Sequence, residues 1–132
     1  MDDTIRRVLT THRTWAVVGC SPNPARDSHR IAALLQRQGL KVIPVNATAA
    51  GDTILGERVH ASLHDVDEPV DVVDVFRRSE LAGAHVHEAI AIGAKAVWLQ
   101  LDVIDHDAAD RARAAGLDVV MDRCPAIELP RL

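Results

Sequence analysis

The sequence predicts an α/β fold: an open, doubly wound, mostly parallel five-stranded sheet with helices on both faces. Three observations carry this expectation. A continuous apolar run, Trp15–Val18, feeds a tight polar turn, Gly19–Asp27, that leads into an amphipathic stretch. Three short segments share one pattern of helix end, glycine, apolar residue, charged residue and strand: Gln38–Ile43, Ile92–Val97 and Ala115–Val120. A glycine just past a helix end takes the left-handed conformation that stops the helix, and three such returns to a strand signify a βαβ series. Finally, Val, Ala, Leu and Ile supply nearly all the apolar content, with Trp15, Trp98 and Phe76 as the aromatic residues. That composition suits a parallel sheet buried on both faces.

The elements follow in order. A leading helix spans about Asp3–Thr11, and the first strand is Trp15–Val18. The first main helix runs Ser28–Gln38, with Ile31, Leu34 and Leu35 on one face and Ser28 as its N-cap. Lys41–Val45 is the second strand. An irregular stretch, Asn46–Asp67, contains a short strand at Arg58–His60 and a helical turn near Leu63. Val70–Val75 is the third strand. Ser79 caps a helix with Ala82, Val86, Ala89 and Ile90 as its buried stripe, and Ala96–Leu101 is the fourth strand. Asp105 begins the last main helix, with Ala108, Ala112 and Ala115 inward. Asp118–Met121 is the fifth strand, and the tail Asp122–Leu132 carries two prolines. Asp71 and Asp74 interrupt the third strand, either hydrogen-bonded within the sheet or marking an edge. Right-handed crossovers leave few other topologies, and a single domain over residues 1–132 is expected.

Composition excludes several functions. At 132 residues with a net charge of −4, the chain offers no bulk attraction for nucleic acid or an anionic membrane. Isolated aromatics without a basic stripe are no single-strand stacking platform. No apolar run approaches membrane-spanning length, and Met1–His12 lacks the apolar core of a secretory leader, so a cytoplasmic protein is expected. Two cysteines, Cys20 and Cys124, form neither a disulfide framework nor a zinc site. The seven histidines show no ligand spacing. Ser21 lacks the flanking glycines of a nucleophile elbow.

In doubly wound sheets, ligands bind beyond the carboxyl ends of the strands. There the sequence places Gly19-Cys20-Ser21, Asn46, Phe76-Arg77-Arg78, Gln100 and Arg123-Cys124-Pro125. The turn and the following helix N-terminus could seat a phosphate, with Arg26 and the arginines of this edge as a clamp. A dinucleotide is the weaker candidate. Only Gly19 of three expected glycines is present, and the second strand ends Pro44-Val45-Asn46 with no acid before Asp52.

The runs Val-Val-Gly-x-Ser-x-x-Pro, Val-Ile-Pro-Val-Asn, Val72–Glu80, Ala96–Gln100 and Met121–Pro125 together resemble the stand-alone CoA-binding domain proteins. These are bacterial and archaeal relatives of the N-terminal domain of the succinyl-CoA synthetase α subunit. The likeness covers about Ile5 to Leu132. It implies a Rossmann-like domain holding coenzyme A, or an acyl-CoA, at the strand ends. Gly19, Cys20 and Ser21 then form the diphosphate turn, with Arg26 and Ser28 near the phosphates. Val45 and Asn46 lie toward the adenosine. Val75, Phe76 and Arg77 flank the middle of the cofactor, Leu99 and Gln100 the pantetheine arm, and Cys124 and Pro125 its far end.

The sequence departs from the synthetase pattern in two ways. The loop Asn46–Ala50 lacks the lysine found there in the α subunits. The sequence also ends where their phosphohistidine-bearing domain would begin, so thioester ligation by this chain alone is not expected. The resulting expectation is recognition of CoA without catalytic machinery. Alternatives are a subunit that lends CoA to a catalytic protein partner, a redox-linked CoA carrier using Cys124, and a nicotinamide-dependent oxidoreductase fragment. The bland reading of both cysteines is two small buried thiols.

Overall fold

The structure, a computed structural model, describes Met1–Leu132. In chain order the elements are α1 (Asp3–Thr11), β1 (Thr14–Val18), α2 (Asp27–Arg37), β2 (Lys41–Val45), β3 (Thr53–Ile54), β4 (Glu57–Arg58), β5 (Val72–Val75), α3 (Ser79–Ala91), β6 (Ala96–Leu99), α4 (His106–Ala114), β7 (Asp118–Val120) and α5 (Pro125–Glu128). Five of the strands form one parallel sheet in the order β2-β1-β5-β6-β7. The pair β3-β4 is a small antiparallel hairpin in the connection from β2 to β5. The fold is therefore the doubly wound α/β sheet that the sequence predicts. No helix is long and apolar enough to cross a membrane.

Side chains alternate across the sheet, so each strand feeds two cores. Trp15, Val17, Val72 and Trp98 face one side, where Val8 of α1 and Ile31 and Leu35 of α2 cover them. Ala16, Val18, Val73, Val75, Val97 and Leu99 face the other side, under Ala82 and Val86 of α3 and Ala108 and Ala112 of α4. The two tryptophan rings meet at 5.6 Å between centroids, tilted by 48°. They supply much of the bulk of an otherwise aliphatic core.

The helix starts show where local reading succeeds and where it slips. Asp2 caps α1 by accepting from Thr4 N at 2.7 Å and Ile5 N at 3.3 Å. Asp105 caps α4 by accepting from Ala108 N at 3.0 Å. Ser28 and Ser79 are not N-caps. Arg26 and Arg78 occupy those positions, and each serine lies inside the first turn with its hydroxyl directed outward to another loop. Ser28 Oγ accepts from Ser21 N at 2.9 Å. Ser79 Oγ donates to Asp102 O at 3.1 Å and accepts from Ile104 N at 2.9 Å, tying α3 to the loop after β6.

Other boundaries differ for similar reasons. The left-handed Asp102 (φ 67°) turns the chain soon after β6, leaving Leu101 exposed. Ala109 rather than Ala115 completes the inner face of α4, because the helix ends at Ala114 and Ala115 is exposed at its cap. Ile90 is only half-buried. The short strand expected at Arg58–His60 is Glu57–Arg58, and His60 makes a separate parallel bridge to Val45. The tail contains α5, begun by Pro125 at a position where a missing N–H costs nothing.

The strand β5 is central, so neither of its acids marks an edge. Asp71, just before it, accepts from Arg13 N and Thr14 N, both at 3.1 Å, and faces Lys95 Nζ at 3.5 Å. Asp74 stands between Val17 and Trp98 and is fully buried. Its Oδ1 accepts from Gln100 Nε2 at 2.5 Å, while Oδ2 has no partner. Burial pushes this carboxyl up to about 8, against the opposing pull of the Gln100 hydrogen bond.

Two stability predictions follow from these environments. Leu35→Ala, at a fully buried position, should cost about 3 kcal/mol in urea unfolding, the usual range for a leucine truncated in a packed core. Asp74 keeps its proton in the folded chain up to about 8, whereas an unfolded aspartate loses it near pH ~4. Its contribution to stability is therefore fully present below ~4, declines as pH rises, and is gone above the folded value. Asp74→Asn should flatten the loss of stability between pH 5 and 8. An identical slope in wild type and variant would refute this assignment.

Candidate functional site

The order of the sheet reverses between β1 and β5. From β1 the chain crosses to β2 on one side, while β5, β6 and β7 extend on the other. A crevice opens at such a point beyond the carboxyl ends of the strands. Gly19 sits at its apex with φ 84°. Its N–H donates to Val45 O at 2.8 Å, and Phe76 N donates to Val18 O at 2.9 Å. A Cβ at Gly19 would collide with the Phe76 carbonyl. Glycine is required here both by the left-handed backbone and by this close approach.

The turn after Gly19 is closed by its own side chains. Ser21 N donates to Ser28 Oγ, Asn23 N to Ser21 Oγ at 3.1 Å, and Ala25 N to Asn23 Oδ1 at 3.0 Å. Arg26 N donates to Asn23 O at 3.0 Å. Pro22 and Pro24 have no N–H to offer. Of the turn amides expected to cradle a phosphate, all but that of Cys20 are thus consumed in shaping the loop. The other donors that remain are those of the first turn of α2, Asp27, Ser28 and His29, which precede the first intrahelical bond from Arg30 N to Arg26 O. The carboxylate of Asp27 is paired with Arg30, which offsets its charge beside this terminus.

Two adjoining hollows share Asp27, Arg30 and Phe76 as walls and form one cleft. The outer hollow, about 590 Å³, is bounded by Gly19, Ser21, Ala25, Arg26 and Ser28. The inner one, about 420 Å³, runs along α2 past Ile31, Leu34 and Arg37 toward Gln100, Leu101 and Cys124. One end is polar with a helix N-terminus, and the other is mainly apolar. A third, small hollow of about 60 Å³ lies across Gly19, where Val45, Asn46 and Arg77 meet His85 and Glu88.

Of the residues singled out by sequence, Gly19, Ser21, Arg26, Ser28, Phe76, Gln100 and Cys124 meet in the cleft, and Val45, Asn46 and Arg77 in the small third hollow. Cys20, Val75, Leu99 and Pro125 are buried and line neither. Val75 and Leu99 point into the core beneath α3 and α4, as the two-residue period of their strands requires. Cys20 packs under α2, where burial and then the nearby Asp74 push its thiol up to about 11. It is a protonated thiol without nucleophilic character. Cys124 is half-buried at the inner end of the cleft, set there by Trp98 Nε1, which donates to Arg123 O at 2.9 Å.

Asn46 has a structural task as well as its place in the hollow. Its Nδ2 donates to Cys20 O at 2.8 Å, and its Oδ1 accepts from Thr48 N at 3.0 Å and Thr48 Oγ1 at 2.8 Å. The basic edge also differs from expectation. Arg78 turns to Glu80 at 3.3 Å and Arg123 to Glu128 at 3.9 Å, whereas Arg26 and Arg77 have no acidic partner. Sequence reading missed the contribution of α2. Arg30, Ile31, Leu34 and Arg37 recur at helical spacing on one face, and Ile31 and Leu34, which pack against the core as expected, also line the cleft. His64 of the irregular stretch and His85 of α3, which show no ligand spacing in the sequence, both approach Glu88, at 3.8 and 2.8 Å. They assemble no group able to hold a metal ion.

Comparison with known proteins agrees with this architecture. An uncharacterized protein of Bacillus subtilis, YneT, is 36% identical over 120 residues, covering 91% of this chain and 87% of that protein. A hypothetical protein from Pyrococcus horikoshii superposes with a TM-score of 0.92 at 36% identity, over 100% of this chain and 92% of that one. The dinucleotide-forming acetyl-coenzyme A synthetase 1 of Ca. Korarchaeum cryptofilum shares the fold, with a TM-score of 0.74 at 23% identity. The match there covers 89% of this chain and 28% of the synthetase. With a family model matching residues 13–130, the chain belongs to the CoA binding domain family.

Proposed function

We propose that the cleft binds coenzyme A or an acyl-CoA at the carboxyl edge of the sheet, and that the chain's task is recognition rather than catalysis. One observation carries this reading: a polar hollow at a helix N-terminus adjoins a mainly apolar one and shares walls with it. CoA has the same two-part chemistry, an anionic nucleotide joined to a long, thin, weakly polar arm. The diphosphate sits at the start of α2, where three free amides and the helix dipole favour negative charge. Arg26 and Arg77 approach it from opposite sides of Gly19. The adenosine end lies over Val45 and Asn46, and the arm passes Phe76 and Gln100 toward Cys124.

A protein partner that supplies the chemistry is a second reading. It is favoured by the appearance of the same fold as little more than a quarter, 28%, of a much longer synthetase. The finding that Cys124, and not Cys20, reaches the cleft keeps a redox-linked carrier among the possible roles. Neither changes the recognition step.

Calorimetric titration tests the proposal. The wild-type protein should bind CoA and show no comparable heat with NAD. Arg26→Ala and Arg77→Ala should each weaken CoA about tenfold, the scale of one charged hydrogen bond at an accessible site. The loss should shrink as salt is raised. Unchanged affinity in both variants would reject the phosphate clamp.

A further inference from the structure

Gln100 is the one polar side chain in the buried wall of the apolar hollow, at 5% exposure. The charged residues lining that hollow, Asp27, Arg30 and Arg37, all belong to the exposed outer face of α2. The Gln100 amide is held from behind: Nε2 donates to Asp74 Oδ1, and no donor of the chain reaches Oε1. Asp74 is itself fixed in the middle of the sheet between Val17 and Trp98. Placing a fully buried carboxyl there, with Oδ2 unpartnered, is a costly choice for a core position. Leucine or valine would satisfy packing alone.

Building on the CoA reading of the cleft, we infer that Asp74 is a positioning residue for Gln100, and that the pair recognises a secondary amide in the ligand's extended arm. Asp74 takes the Gln100 N–H, which leaves Oε1 as an acceptor in the wall of an apolar channel. An amide N–H drawn into that channel would otherwise lose its hydrogen bond to water with nothing in exchange. A hydrocarbon chain of equal length leaves Oε1 unsatisfied and is disfavoured for the converse reason. The ligand class is therefore an amide-bearing chain, not an alkyl one. Burial raises the Asp74 carboxyl enough to keep it neutral at pH 7, so no net charge faces the channel from below.

The test compares CoA with adenosine 3′,5′-bisphosphate, which shares the nucleotide end and lacks the arm. Gln100→Leu should weaken CoA about five- to tenfold, the scale of one buried hydrogen bond, and leave the bisphosphate within about twofold. Asp74→Leu should weaken CoA in the same direction, with bisphosphate affinity reporting that the variant is folded. In the double variant the two effects should not add, because Asp74 acts only through Gln100. Additive losses, or a Gln100→Leu effect that is absent or equal for both ligands, would overturn the inference and leave the CoA reading standing. Wild-type protein that binds the bisphosphate but CoA no more tightly would remove the arm site and this inference together. Binding of neither would remove the proposed function as well.

Discussion

The close passage of Gly19 against the Phe76 carbonyl is the constraint on which the site depends. Two parallel strands diverge there, one toward α2 and the other toward α3, and their chains must separate within one residue of contact. Gly19 N stays bonded to Val45 O and Phe76 N to Val18 O, so the three strands β2, β1 and β5 remain laced to their tips. A side chain at Gly19 would have to part those tips. Because they hold together, the polar hollow, the apolar hollow and the small hollow over Val45 all radiate from this one passage, each bordered by Gly19, Phe76 or both.

What radiates from it differs in rigidity and in physics. The turn Ser21–Arg26 uses its own donors to hold its shape, and so it behaves as a wall and not as a set of ligand contacts. Attraction for an anion then falls to the first turn of α2 and to long arginine side chains. The former is fixed and short-ranged. The latter are exposed, flexible and screened by salt. The inner hollow contributes through burial of apolar surface, which salt scarcely weakens. A ligand with both characters is held by two terms that respond to different conditions.

Much of this organisation was legible in the sequence. The apolar runs and the helix-ending glycines specify the βαβ series, since each reports a local backbone requirement that tertiary packing does not override. The strand ends likewise identify the edge on which Gly19, Phe76, Gln100 and Cys124 meet. What could not be read was the direction of side chains relative to that edge. Leu99 and Gln100 are neighbours, yet one enters the core and the other the cleft, and only the pleat decides which. The serines of α2 and α3 have the identity of caps, but distant loops recruited their hydroxyls, an outcome set by contacts 7 and 25 positions away. Ile31 and Leu34 of α2 serve both the core and the cleft, a double role that apolar spacing alone does not reveal; Arg30 and Arg37, interleaved with them, were the signal of a boundary.

Asp74 is the sharpest departure from what the fold alone would select. Every other residue of β5 is an apolar valine, and the flanking positions on β1 and β6 are valine and tryptophan. A buried carboxyl with one bonded and one free oxygen destabilises the sheet relative to an aliphatic side chain. The fold has no use for it as a strand-pairing element, because side chains do not participate in the ladder. Its single hydrogen bond goes to Gln100, the residue where β6 gives way to the cleft. The cost is borne in the middle of the sheet, while the effect is felt at its edge. A polar group in that place is better understood from the orientation it imposes on the cleft wall than from any contribution to stability.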